Sequence, residues 1–528
     1  MMDKILYRSS QILLAMVCFF LNPILSFIFG RRGKVVPAIK NPLLIKSATK
    51  LAQEIREGKL KSEDVVQAYI ERILEVEPYI NATVDHCFQD SLRQAREADA
   101  LVASGKYTNK QLAEEKPLFG VPFTAKVLFH VKGLPYRAAS KLFESEIPTE
   151  DACAVALMRD AGAILIATTN SAEMGIFTET VNKAHGRTCN PYDTSRTSGG
   201  SSGGESALVS AGGSLIGLGN DIGGSVRIPA HCTGIFAHKP TAGLVPNKGS
   251  VPAFPNKPLQ PMHLEVYKYL IPGPLCRNAE DLLTVMKVLS SKAELRMNFN
   301  RQVDFKKLKV RYLTDIRCPF VAPVDNEIKV ALKNAVTFFE KKCKTVAEEV
   351  KMHSLFDINR CTLSVLLRII NHFKNEIMCT LDINENFEYL KSLCGKSKLA
   401  FPTALVLFLS NNPLVYKENK TAYYAKMIKG LAKEFDDILD EDTVLLVPTA
   451  PYVAPYHNGT LPFLFSICYT SMFNILGLPS TQCPMGFSEK NLPFGLQIVG
   501  SKNNDALTIA CAVELEKAFG GWKPPVEI

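Results

Sequence analysis

Apolar positions along this chain recur with two periods, and one run of them has no polar partner face at all. Val65, Tyr69 and Ile73 repeat every four residues beside Val66, Ile70 and Leu74, which predicts one buried helix face. Ser62 stands where an N-cap is expected. Leu92 to Ser104 predicts a second helix, and the same period returns at Ala152 to Asp160, Ala279 to Leu289, Asp325 to Lys342 and Thr421 to Asp440. Short β-prone runs lie between, at Ala163 to Thr168, Val444 to Val447 and Leu496 to Val499. Helices alternating with strands predict an α/β fold whose sheet is covered on both faces. Leu399 to Leu409 is strongly apolar beside Lys396 and Lys398 and allows two readings, a buried core helix or a membrane-contacting cap.

The unpatterned run is Ile12 to Phe29, interrupted only by Asn22, Pro23 and Ser26. A membrane helix takes roughly 17–25 apolar residues. A cleaved signal peptide would have a shorter apolar region and a small-residue cleavage site, whereas Gly30 here leads into Arg31 and Arg32. An uncleaved N-terminal anchor over residues 1–34 is therefore expected, with Pro23 also permitting a hairpin within one leaflet. Lys4 and Arg8 precede the run and Arg31, Arg32 and Lys34 follow it, so charge specifies orientation weakly. Three glycosylation triplets, at Asn81, Asn419 and Asn458, are too common by chance to decide it.

Composition narrows the chemistry. The 528 residues carry a net charge of +9 with no long basic block, which is a poor nucleic-acid signature. At 47% hydrophobic and 21% charged residues the chain is not disordered. None of the 14 cysteines forms a C-x-x-C pair, and they sit in apolar stretches, as buried free thiols do. The nine histidines include no H-E-x-x-H, which disfavours a metal hydrolase.

Ser198 to Ser225 holds ten glycines in 28 residues, interleaved with Ala, Leu, Val and Ile. That apolar interleaving predicts a packed unit, not a linker. Ser202 and Glu205 match a capping box that would open a helix, leaving Ser201 just outside its positive end. Asp221-Ile222-Gly223-Gly224-Ser225 predicts a turn whose N–H groups converge on an anion or an acyl-transfer oxyanion. The segment contains neither a P-loop nor a complete dinucleotide fingerprint, and Ser225 is followed by Val226-Arg227, not by a G-x-S-x-G elbow. No histidine lies near enough in sequence to suggest a Ser-His-Asp triad, so a buried lysine is the alternative base. Lys126 is the one charge in the apolar run Phe119 to Val127. A free lysine has a pKa of ~10.4, and burial lowers it.

The motifs G-V-P-F-T-A-K at Gly120, G-G-S-S-G-G-E at Gly199 and D-I-G-G-S-V-R-I-P at Asp221 together resemble the amidase signature family. So do the separations of 75 positions from Lys126 to Ser201 and 24 from Ser201 to Ser225. Asn190-Pro191-Tyr192, His238-Lys239-Pro240-Thr241 and the Leu492 to Gln497 segment extend the likeness from about Leu43 to Trp522. With its N-terminal apolar run, the chain is similar to the membrane-anchored fatty-acid amide hydrolase branch, in particular its second vertebrate type. The D-V-V-Q-A-Y-I helix at Asp64, the V-P-N-K-G run at Val245 and F-G-G-W at Phe519 carry that further likeness.

The resemblance implies an α/β amidase-signature fold: a central twisted mixed β-sheet covered by α-helices, with residues 35–528 as the catalytic domain. It implies a Ser-Ser-Lys triad, with Ser225 as nucleophile, Ser201 after a cis peptide from Gly200 as proton relay, and Lys126 as base. Backbone N–H groups of Ile222, Gly223, Gly224 and Ser225 would form the oxyanion hole, Asp221 and Arg227 would brace the loop, and Ser202 would cap a helix. No metal or organic cofactor is implied. The implied partners are a lipid amide substrate and membrane lipid at an endomembrane or lipid droplet, with homodimerisation left open and nucleic acid excluded. Cleavage of fatty-acid amides is the expected activity. Rival expectations are an amidase of other small or acyl amides, a glutamine amidase subunit acting on charged tRNA, and a catalytically silent scaffold.

Overall fold

The computed structural model describes residues 2–251, 261–293, 299–381, 384–410, 412 and 420–527. Eleven strands form one mixed sheet. From one edge they run 83–86, 164–169, 122–126, 216–221, 271–276, 236–239, 480–487, 493–500, 443–448, 309–312 and 348–349. The strand Pro122–Lys126 is buried at every residue, as its continuous apolar run requires. It is parallel to both Ile164–Thr169 and Ile216–Asp221, with Ala125 opposite Leu218. Ile216–Asp221 then pairs antiparallel with Ile271–Cys276. The C-terminal ends of two adjacent parallel strands therefore meet where the sheet changes direction, the usual place for a site in an open α/β sheet.

The expected helices and strands are present within a few residues: Ser62–Ile80, Phe88–Ala103, Cys153–Asp160, Ala279–Leu289, Asn326–Cys343 and Thr421–Ile438, and strands Ile164–Thr169, Thr443–Pro448 and Pro493–Gly500. Ser62 is a correction. It is the first residue inside its helix, and its hydroxyl donates to the Gly120 carbonyl. The cap comes from far along the chain, because Asp99 accepts the Ser62 and Glu63 N–H groups at 2.6 and 3.1 Å.

Two apolar segments are resolved by their surroundings. Helix α1 spans Met2–Phe29 without a break at Pro23, so the hairpin does not form. A helix tolerates one missing N–H where the rest of its ladder holds. It is the one helix among the described residues long and apolar enough to cross a membrane, over Ile5–Phe29. The Leu399 to Leu409 run becomes the helix Phe401–Ser410, in which no residue is exposed, so it packs as core. The described cysteines are free. The Asn81 glycosylation triplet is occupied structurally, since its Nδ2 donates to the carbonyls of His185 and Arg187. The triplet at Asn419 begins outside the described residues.

Candidate active site

Lys126 ends its strand with a side chain that is 0% exposed. Its Nζ donates to Ser201 Oγ at 2.7 Å and to Asn220 Oδ1 at 2.7 Å. Burial drives the Lys126 pKa down to about 7, against a smaller opposing pull from the Asp221 and Glu205 carboxyls. Half of such amines are neutral at neutral pH, a condition no exposed lysine meets.

Ser201 follows a cis peptide bond from Gly200, as the family resemblance implied. The Ser202 N–H donates to the Ser225 carbonyl at 3.1 Å, so the two serine segments lie side by side. Ser201, Ser225, Gly200, Ile222, Gly223 and Asn220 all face one cavity of about 260 Å3. No hydrogen bond in the structure joins the Ser201 and Ser225 hydroxyls, and none engages Ser225 Oγ among the described residues.

The glycines allow this crowding. A Cβ on Gly217 would stand 2.5 Å from Glu205 Oε2. Gly224 has φ +126, and a Cβ there would meet the Thr470 hydroxyl.

The capping box does not form. Ser202 makes no side-chain cap and its hydroxyl has no partner among the described residues. The helix Gly203–Ser210 is capped instead by Thr180, whose Oγ1 accepts the Gly203 N–H at 2.9 Å. Glu205 turns into the sheet, where Thr124 and Thr169 donate to it at 2.6 and 2.8 Å. Burial outweighs those bonds and pushes its pKa up to about 8, which leaves it chiefly protonated at neutral pH.

Asp221 and Arg227 brace the turn. Arg227 Nε and Nη2 donate to the two Asp221 oxygens at 3.0 Å each, with both side chains fully buried. Burial alone would raise the Asp221 pKa; the Arg227 charge and hydrogen bonds reverse this and hold it at about 2. Asp221 also accepts the N–H groups of Gly224 at 2.7 Å and Val226 at 3.2 Å. Gly224 is thereby withdrawn from the expected set of oxyanion donors. The N–H groups of Ile222, Gly223 and Ser225 have no acceptor among the described residues. Thr470 Oγ1 fixes the Gly223 carbonyl at 2.5 Å, and Asn474 Nδ2 holds the Asp221 carbonyl at 2.8 Å.

Sequence reasoning missed Asn220, Thr180, Thr470 and Asn474. Asn220 carried one signal, its place directly before Asp221 in the turn motif. The others act across 23 to 253 positions and have no local signature. Among the described residues no group of three metal-ligating side chains comes together. The cavity beyond the serines is walled by apolar side chains, including Met174, Phe177, Leu366, Ile370, Val406 and Phe465, and among the described residues no charged side chain lines it.

The Amidase family model matches residues 64–509. Fatty-acid amide hydrolase 2-B of Danio rerio is 36% identical over 502 residues, covering 94% of this chain and 93% of that protein. Fatty-acid amide hydrolase 2 of Homo sapiens is 36% identical over 502 residues, covering 93% and 92%. Among solved structures, one of a fatty acid amide hydrolase superposes with a TM-score of 0.73 at 20% identity, covering 94% of this chain and 89% of that one.

Proposed function

Since the chain belongs to the amidase family and is an amide hydrolase, we propose that it cleaves fatty-acid amides, among them primary amides and N-acyl ethanolamines, through Lys126, Ser201 and Ser225. The observation that carries this reading is the fully buried Lys126 amine, 2.7 Å from Ser201 Oγ, at the polar end of an otherwise apolar cavity. In this reading residues 1–34 anchor the chain and 35–528 catalyse.

Neutral Lys126 takes the proton of Ser201 as Ser201 takes that of Ser225, once the Ser225 hydroxyl turns toward it. Ser225 Oγ attacks the amide carbon, and the carbonyl electron pair moves onto the oxygen. The free N–H groups of Ile222, Gly223 and Ser225 receive that oxyanion; one such donor contributes roughly 10²–10³ in rate. The C–N bond then breaks, and the Lys126 proton returns through Ser201 to the departing amine. Without that proton an amide nitrogen leaves as a strongly basic anion. Water, deprotonated by the same relay, hydrolyses the Ser225 ester to the fatty acid. The scheme uses no metal or organic cofactor.

The cavity's lining separates this from glutamine hydrolysis. A glutamine substrate carries an α-ammonium and a carboxylate, and among the described residues no charged side chain lines the cavity to pair with them. An acyl chain needs only the apolar walls. Each methylene buried there contributes ~0.8 kcal/mol, about fourfold in kcat/KM. Purified protein assayed on primary amides of increasing chain length is expected to show that rise until the cavity is filled. Equal kcat/KM for short and long amides, or preference for glutamine, would reject the assignment.

A further inference from the structure

Helix α1 does not project from the molecule. Its covered positions recur at spacings of four and three, at Tyr7, Gln11, Leu14, Cys18, Leu21 and Leu25, the 3.5-residue seam of one helix laid along a surface. Ser10 Oγ accepts the Phe320 N–H at 3.1 Å, and Gln11 Nε2 donates to the Val321 carbonyl at 2.7 Å. Near the other end Leu25 is 5% exposed, Ser26 Oγ donates to the Tyr456 hydroxyl at 3.2 Å, and the Phe29 ring lies 5.6 Å from His457. From Tyr7 to Phe29 the seam is about 33 Å long at 1.5 Å per residue.

The opposite face is apolar and uncovered. Among the described residues of α1, eleven large hydrophobic side chains are exposed, including Phe19 at 73%, Phe20 at 67% and Phe27 at 68%. Exposed Arg8 stands near one end of the ridge, and exposed Arg31 and Lys34 near the other. A continuous apolar ridge with basic ends matches acyl chains flanked by anionic headgroups, and would be an aggregation hazard in water.

A hydrocarbon core is about 30 Å thick, close to the length of the seam. Were α1 to stand across it, the body would be drawn through the bilayer with it. Arg317 and Asn458, both exposed and each beside one end of the seam, would then lie at or near opposite faces of the core, and the part of the body packed on α1 between them would be immersed in hydrocarbon.

We propose that α1 lies in the plane of one leaflet, with its inner face on the body and its outer ridge among the acyl chains of an anionic phospholipid surface, and does not cross the membrane. The body and both chain ends then share one side. The seam is also one layer from the active-site cavity: Phe320, held by Ser10, packs its ring 5.7 Å from Phe465, which lines the cavity. This inference uses no catalytic assignment and stands independently of it.

The test uses the full chain in sealed microsomes, with one epitope tag before Met1 and another after Ile528. Both tags are expected to be cut by added protease together or protected together; opposite accessibility overturns the proposal. A benzophenone amino acid replacing Gln11 or Phe20 reads the two faces separately. From position 11 the photo-crosslink is expected within the chain, to the segment around Val321, and from position 20 to phospholipid. Capture of lipid from position 11, or of a second copy of the chain from position 20, would overturn it.

Discussion

The Lys126 amine has two hydrogen-bond partners, and the second defines what the first can do. A neutral amine has two N–H donors and one lone pair. Asn220 Oδ1 accepts one N–H at 2.7 Å, and Asn220 Nδ2 is itself turned to Ser250 Oγ at 3.3 Å. The amide oxygen therefore faces the lysine, which frees the lone pair for the Ser201 proton. Asn220 is a positioning residue in this account. Replacing it by aspartate places a carboxylate beside the ammonium and favours the charged form. Asn220→Asp should move the acid limb of the kcat/KM profile upward by roughly 1–3 pH units, with activity restored at high pH. An unmoved limb would separate Asn220 from the titration. Lys126, Ser201 and Ser225 could be singled out as candidates from the sequence because their motifs are local. Asn220 bonds Lys126 across 94 positions, and only the folded sheet reveals it.

Among the elements, the glycine-rich unit carries the site because glycine lets helix and sheet close on each other. Buried apolar period predicted the helices and central strands well, since those patterns report which face is covered. The caps were misread for one reason. Ser62 and Ser202 are good local caps, but at these helix starts Asp99 takes the Ser62 and Glu63 N–H groups and Thr180 takes that of Gly203, through tertiary contact. Propensity describes the isolated helix, and packing can supply a different partner. The apolar run at Leu399 was ambiguous for a similar reason, because a short hydrophobic segment looks alike in a core and in a membrane. Its helix Phe401–Ser410 instead supplies Val406 and Leu409 to the cavity wall. Val406→Trp should cut kcat/KM for long-chain amides roughly 5- to 150-fold, since overpacking the wall costs ~1–3 kcal/mol. Short amides should be spared. Equal losses on both would show that this helix does not bound the acyl site.

On the scale of the whole molecule, the apolar N-terminal run could be read from sequence, but its disposition could not. Hydropathy reports that a helix seeks an apolar medium and is silent on what its other face touches. The seam against residues near Val321 and Tyr456 depends on contacts separated by 310 and 430 positions. An attachment made by eleven exposed apolar side chains should resist salt, because screening weakens only the basic ends. Membranes carrying the protein should retain it through a high-salt wash and release it to detergent. Release by salt alone would assign the attachment to charge.

The proposed catalysis couples one titration to one nucleophile. An acyl-fluorophosphonate reacts with the activated serine directly, so its labelling rate reads the relay without interference from product release. The labelled peptide should carry the adduct on Ser225, with a rate that rises with pH to a plateau, its midpoint at about 7, where Lys126 loses its proton. Lys126→Ala should abolish that rise and slow labelling by roughly 10²–10⁴-fold. An adduct on another residue, or the same rising limb in Lys126→Ala, would contradict the mechanism.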